Sequence, residues 1–326
     1  MHNSLLVVIV TFGLIFVVTA SLAQGLSLAL KAPSPLQGRS QLTVMILISS
    51  FILIPALMIG LGALIHFHSQ VKMAIVVLAL TAGAPFVPWL VSLAKGNLMY
   101  SGAIALLLMV LTIIILPFLM PPLVRALHTG ASPSIWVVFW PMLIFMLLPL
   151  VVGVVIRNRY PQLGTQIMPW LGPLSVSFLV VHIALFISYS WSQFLSLAGY
   201  GQMVFTLVFP LAGLLIGYLL SPPYVLSPLP PADPHRATKI VSMVAVAQQN
   251  TGAVICCAIF AFGKYVVAGD YLLLGAIVTI VVVMGFMVEL GKRFEDKQPA
   301  VAAPAVAGVA GSVAATSEPK PAGRVA

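Results

Sequence analysis

The chain has 326 residues, of which 61% are hydrophobic and 6% charged, with 15 Lys and Arg, 6 Asp and Glu, and a formal net charge of +9. A water-soluble domain carries about 25% charged residues, so this chain cannot cover an aqueous surface and is solvated by lipid. The positive charge is no nucleic-acid footprint, because the basic residues stand singly between apolar runs and form no stripe.

A bilayer core needs roughly 20 apolar residues per helix, and nine runs supply them. They are continuous rather than alternating, which excludes a β-barrel. The first, Leu5–Leu30, contains Ser21-Leu22-Ala23, which resembles a signal-peptide cleavage site. However, Met1-His2-Asn3-Ser4 has no basic residue and the run is too long for a signal sequence, so it reads as a span. Leu42–Ile65 follows, and His66 and His68 flank the next loop. An i, i+2 pair shares no helix face, so no metal site is expected there. Next come Met73–Ala94, Leu98–Leu119, Ile135–Ile156 and Met168–Ser188, the last carrying His182 at depth. Met203–Leu220 is short and leads through the Pro-rich segment Ser221–Thr238 to Ile240–Phe262 and Tyr271–Val288. Cys256 and Cys257 are adjacent and point away from each other on a helix, so neither a disulfide nor a metal spacing is read. Residues 1–293 therefore form one transmembrane domain, and 294–326 read as a disordered Ala/Pro-rich tail.

Charge sets the orientation. With the N-terminus outside, twelve of the fifteen basic residues fall on the inner side, and only Lys72, Arg125 and Lys264 fall outside. That is a strong positive-inside bias. It predicts a multi-pass protein of a bacterial inner membrane, with a periplasmic N-terminus and a cytoplasmic C-terminus.

Two runs are interrupted at mid-depth. The third reads Thr81-Ala82-Gly83-Ala84-Pro85-Phe86-Val87-Pro88-Trp89, where two prolines each remove a backbone donor and displace a carbonyl. The eighth reads Ala247-Gln248-Gln249-Asn250-Thr251-Gly252-Ala253. Its four consecutive polar side chains are costly in hydrocarbon unless they face a protein interior or a water-filled cavity. If the fifth run is a divider, each interruption is the third member of a four-helix group, and the groups start on opposite sides of the membrane. Discontinuous helices at matching places of two inverted halves point to a transporter's binding site. The plainer reading is a Pro-kinked helix and a polar helix–helix contact.

These residues also resemble a family. The stretch from Ala82 through Ala94-Lys95-Gly96-Asn97 to Leu116-Pro117 and Met120-Pro121 resembles the fourth-helix region of the bile acid:sodium symporters. Gln249-Asn250-Thr251-Gly252 resembles that family's Glu-x-x-x-Gln-Asn-Ser-Gly crossover, and Ser50-Phe51 with Pro55 its Gln-Phe-x-x-x-Pro helix. The resemblance runs from about Leu26 to Leu290. It implies an all-α membrane protein of nine helices, an inverted repeat with two crossing broken helices, interleaved panel and core subdomains, and alternating access. It also marks departures. Where the family places sodium ligands, this chain has Val87 and Pro88, Ala245, Ser50 and Ala105, while Ser101 and Gln249 remain. The six acidic residues are read as lying in loops, helix ends or the tail, so the family's sodium site is short of donors.

The expected function is a secondary transporter of a small organic anion, coupled to sodium, to a proton or to neither, with no other cofactor. The expected partners are that anion and membrane lipid. Gln248, Gln249, Asn250 and Thr251, with Gly83, Ala84, Pro85 and Pro88, form the expected substrate site. Ser50, Ser101, Gln249 and His182 are the candidate ion ligands; His182 alone among the deep residues titrates near neutral pH, though a neutral histidine can simply bond a neighbouring carbonyl. The five tryptophans lie toward span ends, as aromatic belts do, although Trp89 could line a substrate path. Rival readings are arsenite-permease-like or auxin-carrier-like efflux and a non-transporting membrane sensor or scaffold. An enzyme is not expected, since the spans carry no nucleophile–base pair, metal cluster or paired carboxylates.

Overall fold

The computed structural model describes residues 2–28, 36–65, 67–130, 133–192, 200–221, 234–263 and 266–295. His66, Lys31, most of the Pro-rich connection and the tail lie outside them. The described residues form α1 (His2–Leu26), α2 (Ser40–Leu64), α3a (Ser69–Leu80), α3b (Val87–Leu93), α4 (Leu98–Ala126), α5 (Ile135–Arg159) and α6 (Pro161–Tyr189). They continue with α7 (Tyr200–Leu219), α8a (Pro234–Ala247), α8b (Thr251–Cys256, prolonged by a wide turn at Cys257–Ala261) and α9 (Val266–Glu295). No strand occurs among them. Seven helices are long and apolar enough to cross a membrane, and Ser69–Leu80 and Phe205–Leu219 are shorter apolar helices.

Several boundaries differ from the sequence reading. The sixth helix starts at Pro161, not Met168, because proline is well placed in a first turn where its missing N–H costs nothing. Helix α4 runs on through Pro117, Pro121 and Pro122 to Ala126 instead of stopping at Leu119. The eighth begins at Pro234, inside the segment read as loop, and so carries Arg236 and Lys239 on a helix. The ninth extends over Val266–Glu295, which places Asp270 and Glu289 within a helix. Of these, Asp270 is buried and its Oδ1 accepts a hydrogen bond from Ser190 at 3.1 Å.

Prolines also explain two of the three wide turns. Helix α2 opens into i→i+5 bonding over Ser49–Leu53, just before Pro55, and α5 does so over Leu143–Leu147, just before Pro149. A proline cannot donate to the carbonyl one turn back, and a locally wider turn re-forms the ladder around the gap. In α2 the bond runs from the Ile54 N–H to the Ser49 carbonyl. This distortion sets Ser50 in the interior.

Helices α1, α5 and α6 pack on one another, and α3a, α3b, α4, α7, α8a and α9 form a second packed group with α2. Small residues bring the helices close, as expected where lipid gives no hydrophobic drive for association. Gly213 and Gly217 of α7, one helical turn apart, lie directly on Ala247 and Met243 of α8a, where any Cβ would strike backbone. Gly153 of α5 is set in the same way against Leu22 and Gly25 of α1. The two groups meet where α4 packs on the first turns of α5, through α8b, which touches α1 and the same turns of α5, and through the Gln24 amide, which donates to the Gly102 carbonyl at 3.1 Å. Within its apolar window 89% of α8 is buried, against 28–50% for the other long helices. Helix α8 is therefore the centre of the molecule, and its polar residues are inside protein rather than in lipid. The tryptophans Trp89, Trp136, Trp140, Trp170 and Trp191 are each at least half exposed, on the outer surface.

Candidate transport site

The first break spans residues 81–86, between α3a and α3b. Gly83 there has φ +76°, a left-handed conformation, and a Cβ would meet Leu108 and the backbone of Ala105 and Met109 on α4. Only glycine combines that φ with so close an approach. The exposed polar backbone of Ala82 is satisfied by one side chain. Thr112 of α4 accepts the Ala82 N–H at 3.0 Å and donates its own O–H to the Ala82 carbonyl at 2.9 Å. Ala82, Gly83 and Ala84 are all buried. Pro85 is half-buried at the end of the break. Pro88 is not in the break, contrary to the sequence reading: it lies in the first turn of α3b, where a proline disrupts nothing.

The second break is Gln248-Gln249-Asn250, between α8a and α8b. All three, with Thr251, are buried, at most 3% exposed. Asn250 caps α8b: its Oδ1 accepts the Ala253 N–H at 3.1 Å. Its amide Nδ2 has no partner, nor do Gln248 Oε1, Thr251 Oγ1 and Ser50 Oγ. Gln249 Oε1 is nearly in the same state. It faces the Thr279 hydroxyl of α9 at 3.4 Å, but that single hydrogen already goes to the Gly275 carbonyl at 2.9 Å. Buried polar atoms are nearly always paired, and each orphan costs about 1–3 kcal/mol. A cluster of them at one helix break marks a place built to meet something else.

The structure thus brings Gln248, Gln249, Asn250 and Thr251 together. The wide turn of α2 that holds Ser50 packs on α8a and on α3a. Ser101 is buried in the first turn of α4 and donates to its own helix at Leu98, 2.8 Å away. Ala245, at the place of the family's glutamate, is fully buried, and no group of three or more metal-ligating side chains occurs among the described residues. His182 lies on α6 and lines a small cleft together with Thr251. Its Nδ1 lies 2.9 Å from the Ile9 carbonyl, and its Nε2 has no partner. His68 accepts the Gln70 N–H at 3.4 Å at the start of α3a, a helix-capping position rather than a site.

Thr112 and Thr279 were not singled out from the sequence. A hydroxyl amid long runs of Val, Ile and Leu is the one signal that could have found them. Each sits near the middle of the helix that follows a broken one, and each reaches back to that helix's break.

Two small clefts flank the second break, each with an internal cavity of about 10 Å³. One includes Gln249 with Phe205, Phe209 and Tyr271, and the other includes Thr251 with His182, Leu179 and Ile277.

A multi-pass helical protein with unwound, polar backbone sealed at its centre has the make-up of a membrane transporter, since irregular backbone at membrane depth is tolerated only inside protein or beside a cavity. Residues 11–197 match the sodium bile acid symporter family, and the chain belongs to it. That family is one of membrane transporters. The matched residues take in the first break and end before the second. No curated protein matches the chain.

Proposed function

We propose that the protein is a secondary transporter that moves a small organic anion by alternating access, with the substrate bound at the second break. The cluster of buried, partnerless polar atoms there carries this reading. Asn250 Nδ2 and the Thr251 hydroxyl supply donors suited to an anion, and no basic side chain is needed where desolvated neutral donors converge. Gln248 and Gln249 complete the first contacts. Helices α1, α5 and α6 then act as the panel and the second group as the core. The nine-span count, the inverted repeat and an outside N-terminus belong to the same proposal. They are supported by the charge asymmetry, by the matching positions of the two breaks, and by a threonine from the following helix at each.

The coupling ion follows from donor supply. Ser50, Ser101 and Gln249 offer neutral oxygens, and no group of three metal-ligating side chains accompanies them among the described residues. The proposal is therefore of transport that a family-like sodium site does not drive. The test is a thermal-shift and uptake screen of organic acids with the purified full chain, with and without sodium and across pH. Stabilisation by at least one acid, lost when Gln249 and Asn250 are both alanine, supports the site. Unchanged transport in that variant would put the site elsewhere, and a strict sodium requirement would overturn the reading of the ion.

A further inference from the structure

One buried carboxyl plays no part in the second break. Asp270, in the second turn of α9, is 5% exposed, and its Oδ1 accepts the Ser190 hydroxyl at 3.1 Å. Ser190 is buried as well and caps the far end of α6. That bond joins a helix of the first group to a helix of the second. One turn further in along each helix stand Phe186 and Leu273, which line the apolar cleft between α6 and α9. The Ser190–Asp270 bond therefore ties the two groups at the end of the gap between them.

A second tie lies at the opposite end of the helices. Gln24, in the last turns of α1, donates to the Gly102 carbonyl near the start of α4. Following the chain, α1 ends and α4 begins on the side where α6 begins and α9 ends. Both ties cross the same boundary, but their chemistry differs. An amide–carbonyl bond holds no titratable group, whereas a carboxyl can lose a proton.

Asp270 Oδ2 has no partner. The titratable groups on the elements around it are His182 and Tyr189 on α6, His68 and Lys72 on and before α3a, Cys256 and Cys257 at the end of α8b, and Tyr271 beside it on α9. None of them hydrogen-bonds or ion-pairs with it; Lys264 lies outside the described residues. In the neutral acid, one oxygen accepts from Ser190 and the other carries the proton, so no charge is buried. Ionised, the group leaves a bare charged oxygen inside dry protein, which is costly until water reaches it. Water reaches it when α6 parts from α9.

We infer that Asp270 is a proton-binding site that gates the seam between the two helix groups. Protonated, it holds α6 to α9; on giving its proton to water at that end, it releases them. The sealed form therefore prevails at low pH and is lost as the pH rises through the titration of the carboxyl. This rests on the reading of the two groups as panel and core, not on the second break as the anion site.

The test is hydrogen–deuterium exchange of the full chain in detergent with no acid added, from about pH 5 to about pH 8.5, corrected for the intrinsic pH dependence of exchange. Protection of residues 183–192 and 267–274 should fall together by at least about tenfold as the pH rises, the scale of one unpaired buried group. Asp270→Asn keeps an oxygen for Ser190 and cannot ionise, so it should hold the low-pH protection throughout. Ser190→Ala, made separately, should lose about threefold or more in both segments at low pH. Gln24→Ala should loosen residues 20–26 and 98–104 to the same extent at every pH. Protection independent of pH in the parent would overturn the gate, as would a change confined to α9, which is fraying of one helix end. A pH dependence that persists in Asp270→Asn would overturn it too and assign the titration to His182 or His68. The variant with Gln249 and Asn250 both alanine separates the two proposals. Retained pH dependence there, when no acid binds even the parent, upholds the gate and sinks the anion site; its loss would tie the effect to the break and overturn the gate.

Discussion

The two breaks solve one physical problem in opposite ways. Both take the chain out of helix at the buried centre of a membrane protein, where backbone N–H and C=O groups have no water to turn to. At residues 81–86 the break is closed on itself: small side chains, a left-handed Gly83 and a threonine that serves both polar groups of Ala82. At 248–250 the side chains are polar, and four oxygen or nitrogen atoms around the break are without partners. One break is therefore a structural bend, and the other holds its chemistry open. Unwinding alone does not make a binding site; unspent hydrogen-bonding capacity does.

Substitutions can break that contrast. Gly83→Ala should have the largest effect on stability, about 3–5 kcal/mol from positive-φ strain plus overpacking against α4, read as a lowered unfolding temperature and poor yield. Thr112→Val leaves both Ala82 groups unpaired and should cost about 2–4 kcal/mol in the same assay. Asn250→Ala should cost only about 1 kcal/mol of stability through the lost cap, yet it should lower the affinity for a bound acid at least about tenfold by titration, since donors to a charged group are worth more than neutral ones. Thr279→Val should be the mildest, under about 0.5 kcal/mol, because its 3.4 Å approach to Gln249 shares a hydrogen already given to Gly275. If Thr279→Val proved as damaging as Thr112→Val, the second break would be as closed as the first, and the contrast would fail.

Much of this was legible in the sequence. Lipid solvation followed from 6% charge, and both interruptions were visible as Pro-Gly and Gln-Gln-Asn-Thr runs inside apolar segments. The family resemblance, drawn from those motifs, agrees with the match over residues 11–197. Helix ends were less legible, since prolines at Pro161 and Pro234 start helices and those at Pro117 to Pro122 do not stop one. Local rules assign proline two roles, and neighbouring helices choose between them. Pro88 was misplaced for the same reason.

Composition and pattern were enough for the environment, the protein class and the positions of the two breaks, because burial of charge and loss of backbone donors are local costs that no packing can hide. Whether a polar atom is used or left open was beyond their reach. That depends on which helix arrives opposite it: Thr112 meets Ala82, nothing meets Asn250 Nδ2, and Ile9 takes one nitrogen of His182 and leaves the other. Hydrogen bonds act over about 3 Å, so only the three-dimensional arrangement of distant segments separates the sealed break from the open one.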